Sequence, residues 1–377
     1  MILFFTIVIS IYTAMHGVVF WGLSPLMAGW NKAAFFLLLW MVLMIVAPFA
    51  VRLLEAGGNE QAARMLALVG FNWMGLLFLA CCMFAVVGAL ELLYRLSQLF
   101  IRLPRFSLHV PLTAALVLFL TLAAGLYAKS EAKNVRVETI PIITDRLGPG
   151  IDGLRLVQVS DLHLGLLNRD DFLQPLISQL KELKPDLLVV TGDLVDGRII
   201  HLPGLHSLWR EIEPPLGKFA ITGNHEVYAG LGQSVDFLHR SGFTVLRNMG
   251  INVDGVVTLF GLDDEAVPGA AVDEHALLQA HASELFTVYL RHRPIVTAAD
   301  ADLFDLQLSG HAHRGQIFPF NLVTGLRYPM QNGFYRLTAR ASLYASRGTG
   351  SWGPPLRLLS PPEITVFEIS RAGAGQL

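Results

Sequence analysis

Leu154-Arg-Leu-Val-Gln-Val-Ser-Asp-Leu-His163 decides the reading of the second half of the chain. A short apolar run ends abruptly in two polar side chains spaced by two, Asp161 and His163. The run has the length and composition of a buried strand, and the polar pair sits where such a strand stops. The same shape recurs downstream. Leu187–Thr191 runs into Gly192-Asp193, residues 219–222 into Gly223-Asn224-His225-Glu226, and Leu306–Ser309 into Gly310-His311-Ala312-His313, while Thr287–Leu290 is followed by His292. Five predicted strands thus carry Asp, Asn or His at their C-terminal ends. In open α/β sheets that edge collects ligands, because rigid strands hold converging loops there.

Working outward, short apolar runs separated by Gly, Pro and Asp continue after Lys129. They predict strands near 135–143, 154–159, 187–191, 218–222, 244–246, 256–262, 287–290 and 306–309, a closing strand over 363–369 and a loose tail over 372–377. Apolar residues at helical spacing over 172–183 and 234–241 alternate with them, which predicts an α/β domain. Leu205, Leu208, Trp209 and Ile212 within 202–212 predict one more helix, packed on the domain or lying at an interface to guide a lipid.

The first part of the chain is of another kind. The 377 residues are 53% hydrophobic and 15% charged, with a mean hydropathy of +0.51, too apolar for a single soluble domain of this size. The excess lies in four uncharged stretches, near 2–23, 33–51, 66–90 and 110–128, each about the 20 residues that cross hydrocarbon as a helix. An all-α, four-helix transmembrane region over 1–128 is therefore expected, followed by a catalytic domain over 129–377. A cleavable signal peptide accounts for the first stretch alone, and that stretch lacks a basic leader. Residues 1–128 hold six basic and three acidic side chains, which leaves 22 and 27 for the rest, a formal charge of minus five. That balance excludes a nucleic-acid binder driven by phosphate neutralisation. Adjacent Cys81 and Cys82 make no disulfide framework. Arg95, Arg102 and Arg105, with no acid between Tyr94 and His109, mark their loop as cytoplasmic and place the C-terminal domain outside the cytoplasm.

The strand-end residues suit metal. Asp161 with His163, and His311 with His313, lie two apart and share one face of an extended segment. Imidazole with carboxylate favours Zn, Mn, Fe or Ni over Ca or Mg. Seven candidates, Asp161, His163, Asp193, Asn224, His292, His311 and His313, exceed what one tetrahedral ion needs and suit two divalent ions sharing a carboxylate, an arrangement that clamps both ends of an in-line displacement at phosphorus. His225 is then a spare imidazole beside them, with proton donation to the leaving oxygen as its natural role. Asp196 and Glu226 are expected to cap or orient neighbours, and Asp263 and Asp264 to serve as turn carboxylates. His16, His109, His201, His206, His239, His275 and His281 have no strand-end context and are left as packing, capping or surface groups.

Asp161-Leu-His163, Gly192-Asp193-Leu-Val-Asp196, Gly223-Asn224-His225-Glu226, His292 and Gly310-His311-Ala-His313 occur in an order and spacing that resemble the calcineurin-like metallophosphoesterase superfamily. The likeness covers about 135–371. It looks closest to the bacterial membrane-associated branch, on Gly261-Leu-Asp263-Asp264, Gly315-Gln316-Ile317, Ser346-Arg347-Gly348, Arg357 and Pro362-Glu363-Ile364. The resemblance implies a four-layer α/β/β/α sandwich with a dinuclear centre: one ion on Asp161, His163, Asp193 and His313, the other on the shared Asp193 with Asn224, His292 and His311. Arg314 stands where many relatives have a small residue, and adds a candidate phosphate-binding guanidinium at the rim.

The resulting expectation is a multi-pass protein of a bacterial inner membrane that hydrolyses phosphoesters, with a lipid-linked phosphodiester or pyrophosphate as the substrate class a membrane location favours. No protein partner is identifiable from the sequence. A metal amidohydrolase is the rival within the same chemistry, and the order of the motifs speaks against it. A non-catalytic membrane sensor or scaffold is the rival from another class, and a complete ligand set speaks against that.

Overall fold

The computed structural model describes residues 2–197, 202–269 and 272–371, so His201 and the tail over 372–377 lie outside the described residues. The chain divides into two compact units, Met1–Ser130 with Gly353–Leu356, and Glu131–Trp352 with Arg357–Leu377.

The first unit is built on four helices, α1 (Ile2–Leu23), α2 (Asn31–Ala56), α3 (Glu60–Ser97) and α4 (Pro111–Lys133). All four are long and apolar enough to cross a membrane. They meet through Val19, Met41, Leu77, Phe84 and Val117, whereas Leu38, Leu43, Leu112 and Phe119 point outward and are exposed, as lipid-facing side chains must be. Close approach relies on small residues: a Cβ on Gly70 would stand 3.2 Å from that of Ala47. Arg95 is paired with the buried Glu91, which also accepts from the backbone N–H of Leu108 and the hydroxyl of Ser107. Arg102 and Arg105 carry the rest of that loop's positive charge.

The second unit begins with β1 (Arg136–Ile143), β2 (Gly153–Val159), the two-residue β3 (Leu164–Gly165), α5 (Asp170–Leu183), β4 (Leu187–Thr191), β5 (Val195–Asp196) and α6 (Leu205–Arg210). It continues through β6 (Lys218–Ile221), α7 (Asn224–Arg240), β7 (Thr244–Val245), β8 (Met249–Val253), β9 (Val257–Gly261), α8 (Glu274–Ala280), β10 (Thr287–Leu290) and β11 (Leu306–Ser309). It closes with α9 (Asn321–Arg327), β12 (Gly333–Arg336), β13 (Ser342–Ala345) and β14 (Glu363–Ser370). Two six-stranded sheets result, ordered β1-β14-β2-β4-β6-β7 and β12-β13-β11-β10-β9-β8. The inner pairs β2–β4, β4–β6, β9–β10 and β10–β11 are parallel, so their C-terminal ends, with their following loops, share one edge of each sheet.

Alternation along β2 shows how the layers form. Leu154 and Leu156 face the second sheet, where they join Leu187, Ile221, Leu259, Val288 and Leu308, while Val157 and Val159 face α5, α6 and α7 with Leu173, Trp209 and Phe237. Phe260, Tyr289 and Phe304 cover the far side of the second sheet with Leu278 of α8. The layers are therefore α/β/β/α. Gln158 lies among them and donates to the Thr191 hydroxyl (2.8 Å) and the Ser309 carbonyl (3.1 Å), joining the three strands beneath the polar edge.

Candidate metal centre

Five of the seven strand-end candidates leave the sheet through left-handed backbone: Asp161 (φ 53°), His163 (51°), Asp193 (52°), His311 (66°) and His313 (47°). Non-glycine residues adopt this region seldom, and clusters of them mark functional sites. The glycines of the motifs have a steric reason. A Cβ on Gly223 would lie 2.2 Å from Asp193 Oδ1, and one on Gly310 would lie 2.2 Å from Asp161 Oδ2, so only glycine lets neighbouring loops cross at the carboxylates.

The side chains converge into two groups joined by a third. His163 Nε2 and His313 Nε2 face each other at 3.1 Å, with Asp161 Oδ1 3.3 Å from the latter. His292 Nε2 stands 3.1 Å from Asp193 Oδ2, 3.3 Å from Asn224 Oδ1 and 3.2 Å from His311 Nδ1. Donor atoms of Asp161, His163 and His313, and those of Asp193, His292 and His311, lie within 4.8 Å of one another. A third set, His163 with Asp193 and His225, connects them. All seven predicted ligands are thus brought to one place, together with His225.

Neighbours settle which ring atoms point inward. His292 Nδ1 donates to the Thr191 carbonyl (2.8 Å), which leaves Nε2 toward Asp193. His311 meets the Tyr328 hydroxyl through Nε2 (3.0 Å), which turns Nδ1 toward His292. The fully buried guanidinium of Arg357 donates to His313 Nδ1 (2.9 Å), so Nε2 faces Asp161. Glu226 accepts from the backbone N–H of Asp193 (2.9 Å), Val195 (3.1 Å) and Gly223 (2.7 Å), which ties the β4 and β6 loops into one body.

Electrostatics favour a cation. Burial raises the Asp161 carboxyl, yet the charge and hydrogen bond of His313 hold it well below the usual range; burial opposes Asp193 too, and His292 keeps it well below. No lysine or arginine pairs with either carboxylate among the described residues. Burial pushes the His163 imidazole well down and that of His311 down to about 3, so both keep the neutral lone pair that metals bind. His292 differs, because the charge and hydrogen bond of Asp193 outweigh burial and raise it to about 10, so a divalent ion bound there would replace its proton.

His225 differs from these. Its Nδ1–H donates to Asp196 Oδ1 (2.6 Å), its backbone N–H donates to Asp193 Oδ1 (2.8 Å), and its ring stands edge-on to His163, 4.6 Å between centroids. Burial lowers its pKa, but the Asp196 hydrogen bond and the charges of Asp193, Asp196 and Glu226 outweigh that and raise it to about 9. The protonated ring is the form a proton donor requires. An acid of this kind fails as pH rises through its pKa, so Asp196→Asn should move the alkaline limb of the pH–rate profile downward. A charge-assisted hydrogen bond partly open to solvent corresponds to about one pH unit. A limb that stays in place would assign it to another group.

Four residues around the centre, Tyr328, Trp352, Tyr228 and Arg357, escaped sequence reasoning as site groups. Tyr328 and Trp352 carry no motif; Trp352 and Tyr228 stand edge-on to His225 at 5.6 and 5.3 Å. Arg357 entered only as a mark of resemblance, and its signal was a lone arginine among Leu356, Leu358 and Leu359. Arg314 has left-handed backbone, is half-buried and forms no ion pair among the described residues. Asp263 pairs with Arg247 (2.8 Å) and Asp264 with Arg293 (2.8 Å), while Asp264 also accepts from the Ala266 N–H, so both serve turns and Asp264 braces the segment that carries His292.

A polar edge of this composition on an α/β/β/α sandwich defines a class, the metal-dependent phosphoesterases. Comparison gives the family. The calcineurin-like phosphoesterase model matches residues 154–315. An uncharacterised metallophosphoesterase of Aquifex aeolicus is 36% identical, over 68% of this chain and 100% of its own length. A transmembrane protein with metallophosphoesterase domain from Danio rerio is 33% identical over 68% of this chain, which spans 62% of that longer protein. The solved 5'-nucleotidase precursor from Thermus thermophilus is 16% identical with a TM-score of 0.36, over 58% of this chain and 54% of its own. The chain belongs to the calcineurin-like metallophosphoesterases, a family that uses divalent metal ions, and carries four membrane-type helices ahead of that domain.

Proposed function

We propose that the protein is a membrane-anchored phosphoester hydrolase with two divalent metal ions. The observation that carries this reading is the convergence of seven candidate ligands from five strand ends, beside an eighth group, His225, whose Nδ1 is held by Asp196. Asp161, His163, Asp193 and His313 would hold one ion, and Asp193, Asn224, His292 and His311 the other. Such ions, when bound, neutralise charge that develops on a phosphoryl group and orient it for in-line displacement. The chain's own residues do the rest. Asp196 holds Nδ1 of His225, so the opposite nitrogen presents a proton to the departing oxygen. Arg314, at the turn after His313, supplies a guanidinium to a non-bridging phosphate oxygen. Trp352 and Tyr228 limit water around His225.

Membrane anchorage favours a lipid-linked phosphodiester or pyrophosphate. The test is a screen of the full chain, loaded with Mn and held in nanodiscs, against soluble phosphomonoesters, aryl phosphodiesters, glycerophospholipids and a lipid pyrophosphate. Hydrolysis of a lipid substrate above the soluble ones supports the reading, and silence on all four after loading overturns it.

We also propose that the catalytic unit is extracytoplasmic, on the strength of Arg102 and Arg105 in the loop before α4. A reporter fused after Leu377 that works only outside the cytoplasm should be active. Signal from a cytoplasm-dependent reporter at the same site would reverse the orientation.

A further inference from the structure

Between Asp305 and Glu363 the chain contains six arginines and no acidic residue, although the domain as a whole is acidic. Arg340 and Arg347 are spent on ion pairs and Arg357 is buried, but Arg327 and Arg336 are exposed. Within the same stretch lies a cluster of exposed apolar side chains. Leu322 (64% exposed), Val323 (56%) and Leu326 (85%) project from α9, with Phe318 (43%) just before it and Phe334 (44%) on β12. Positions 322, 323 and 326 share one side of a helix. No residue of α9 is buried, so the helix does not owe its place to the domain core.

This element is joined to the metal centre at both ends. Its start packs backbone to backbone on the turn His313–Gly315, where a Cβ on Gly315 would lie 2.3 Å from Asn321 N. Its C-cap, Tyr328, reaches His311 (3.0 Å). An apolar face with a basic fringe, without acids, matches the interface of an anionic bilayer, where apolar side chains enter the acyl boundary and guanidinium groups meet phosphates. The chain itself brings a bilayer within reach: α4 ends at Lys133 and β1 begins at Arg136.

We infer that α9 and Phe318 insert into the bilayer surface and hold the mouth of the metal centre at the lipid headgroups. The occupant of this face is lipid. The inference concerns the surface beside the centre and stands apart from the hydrolytic reading.

The test uses the full chain in phosphatidylethanolamine/phosphatidylglycerol nanodiscs. In a Cys81→Ala, Cys82→Ala background, an environment-sensitive fluorophore is attached through Leu326→Cys or, as a control, Asp236→Cys on the exposed face of α7. The label at 326 should emit to the blue and be quenched by doxyl-labelled lipid, and the label at 236 should do neither. A water-like label at 326 overturns the inference. So does one that is shielded yet unquenched, which would give the face to a protein such as a second copy of this chain. The double substitution Leu322→Glu, Leu326→Glu should leave hydrolysis of a soluble aryl phosphodiester unchanged and lower that of a bilayer glycerophospholipid about tenfold. An equal fall in both overturns the inference in favour of a structural role for α9. A wild-type protein inactive on both substrates counts against the hydrolytic reading alone, because the fluorescence decides the docking by itself.

Discussion

Replacing His225 by asparagine is expected to lower turnover of an alkyl phosphodiester by about 10² to 10⁴, the range for a lost general acid, while metal content stays near normal. The geometry separates these outcomes. His225 Nδ1 is taken by Asp196, and its backbone N–H, which asparagine retains, is what touches Asp193. The loss should shrink for an aryl ester with a low leaving-group pKa, since its departing oxygen is stable without a proton. Equal losses on both esters with metal intact would reassign His225 to stabilising phosphoryl charge. Loss of metal would place it among the ligands, which the third donor set, His163 with Asp193 and His225, makes a concrete alternative.

The second large effect is on metal. The wild-type chain should approach two transition-metal ions after Mn or Zn loading, and Asp193→Asn should bring elemental analysis below one. Asp193 is the carboxylate common to two donor sets, one with His292 and His311 and one with His163 and His225. Indirect partners of metal ligands already cost about 10- to 100-fold in affinity when removed, so a shared ligand should cost at least the upper figure. The same change leaves an amide oxygen to accept from the His225 N–H (2.8 Å) but removes the carboxylate charge beside His292, whose pKa that charge raises, against burial, to about 10. Circular dichroism of the variant should be retained, since Glu226 still ties the loops. A wild-type stoichiometry that never exceeds one would end the dinuclear proposal.

Much of this was legible because the inner strands obey one rule. β4, β10 and β11 were placed residue for residue, as each is an apolar run buried on both faces and stopped by a polar turn. The edge strands of the second sheet broke the pattern. Met249–Val253 has one buried residue, Gly333–Arg336 has none, and both hold Gly, Asn or Arg, so they read as loop. β13 is wholly buried, but Ser-Leu-Tyr-Ala is too short to announce itself. α7 was foreseen only over its last turns, since Gly230 (φ 107°) interrupts it and its first residue is the candidate ligand Asn224. α9 was missed because seven residues span too few turns for a helical period to stand out in the sequence. In the site, the five motif blocks showed through because each pairs a strand end with a ligand type. Tyr328, Trp352 and Arg357 act through folding geometry and have no local pattern.

The left-handed turns at Asp161, His163, Asp193, His311 and His313 have a further consequence. They are imposed by the sheets and by the crossings that Gly223 and Gly310 permit, so the cradle is complete when the sandwich has folded. A cradle made this way does not reshape itself around each guest. Exchange of one borderline ion for another should therefore change reactivity and leave the architecture alone.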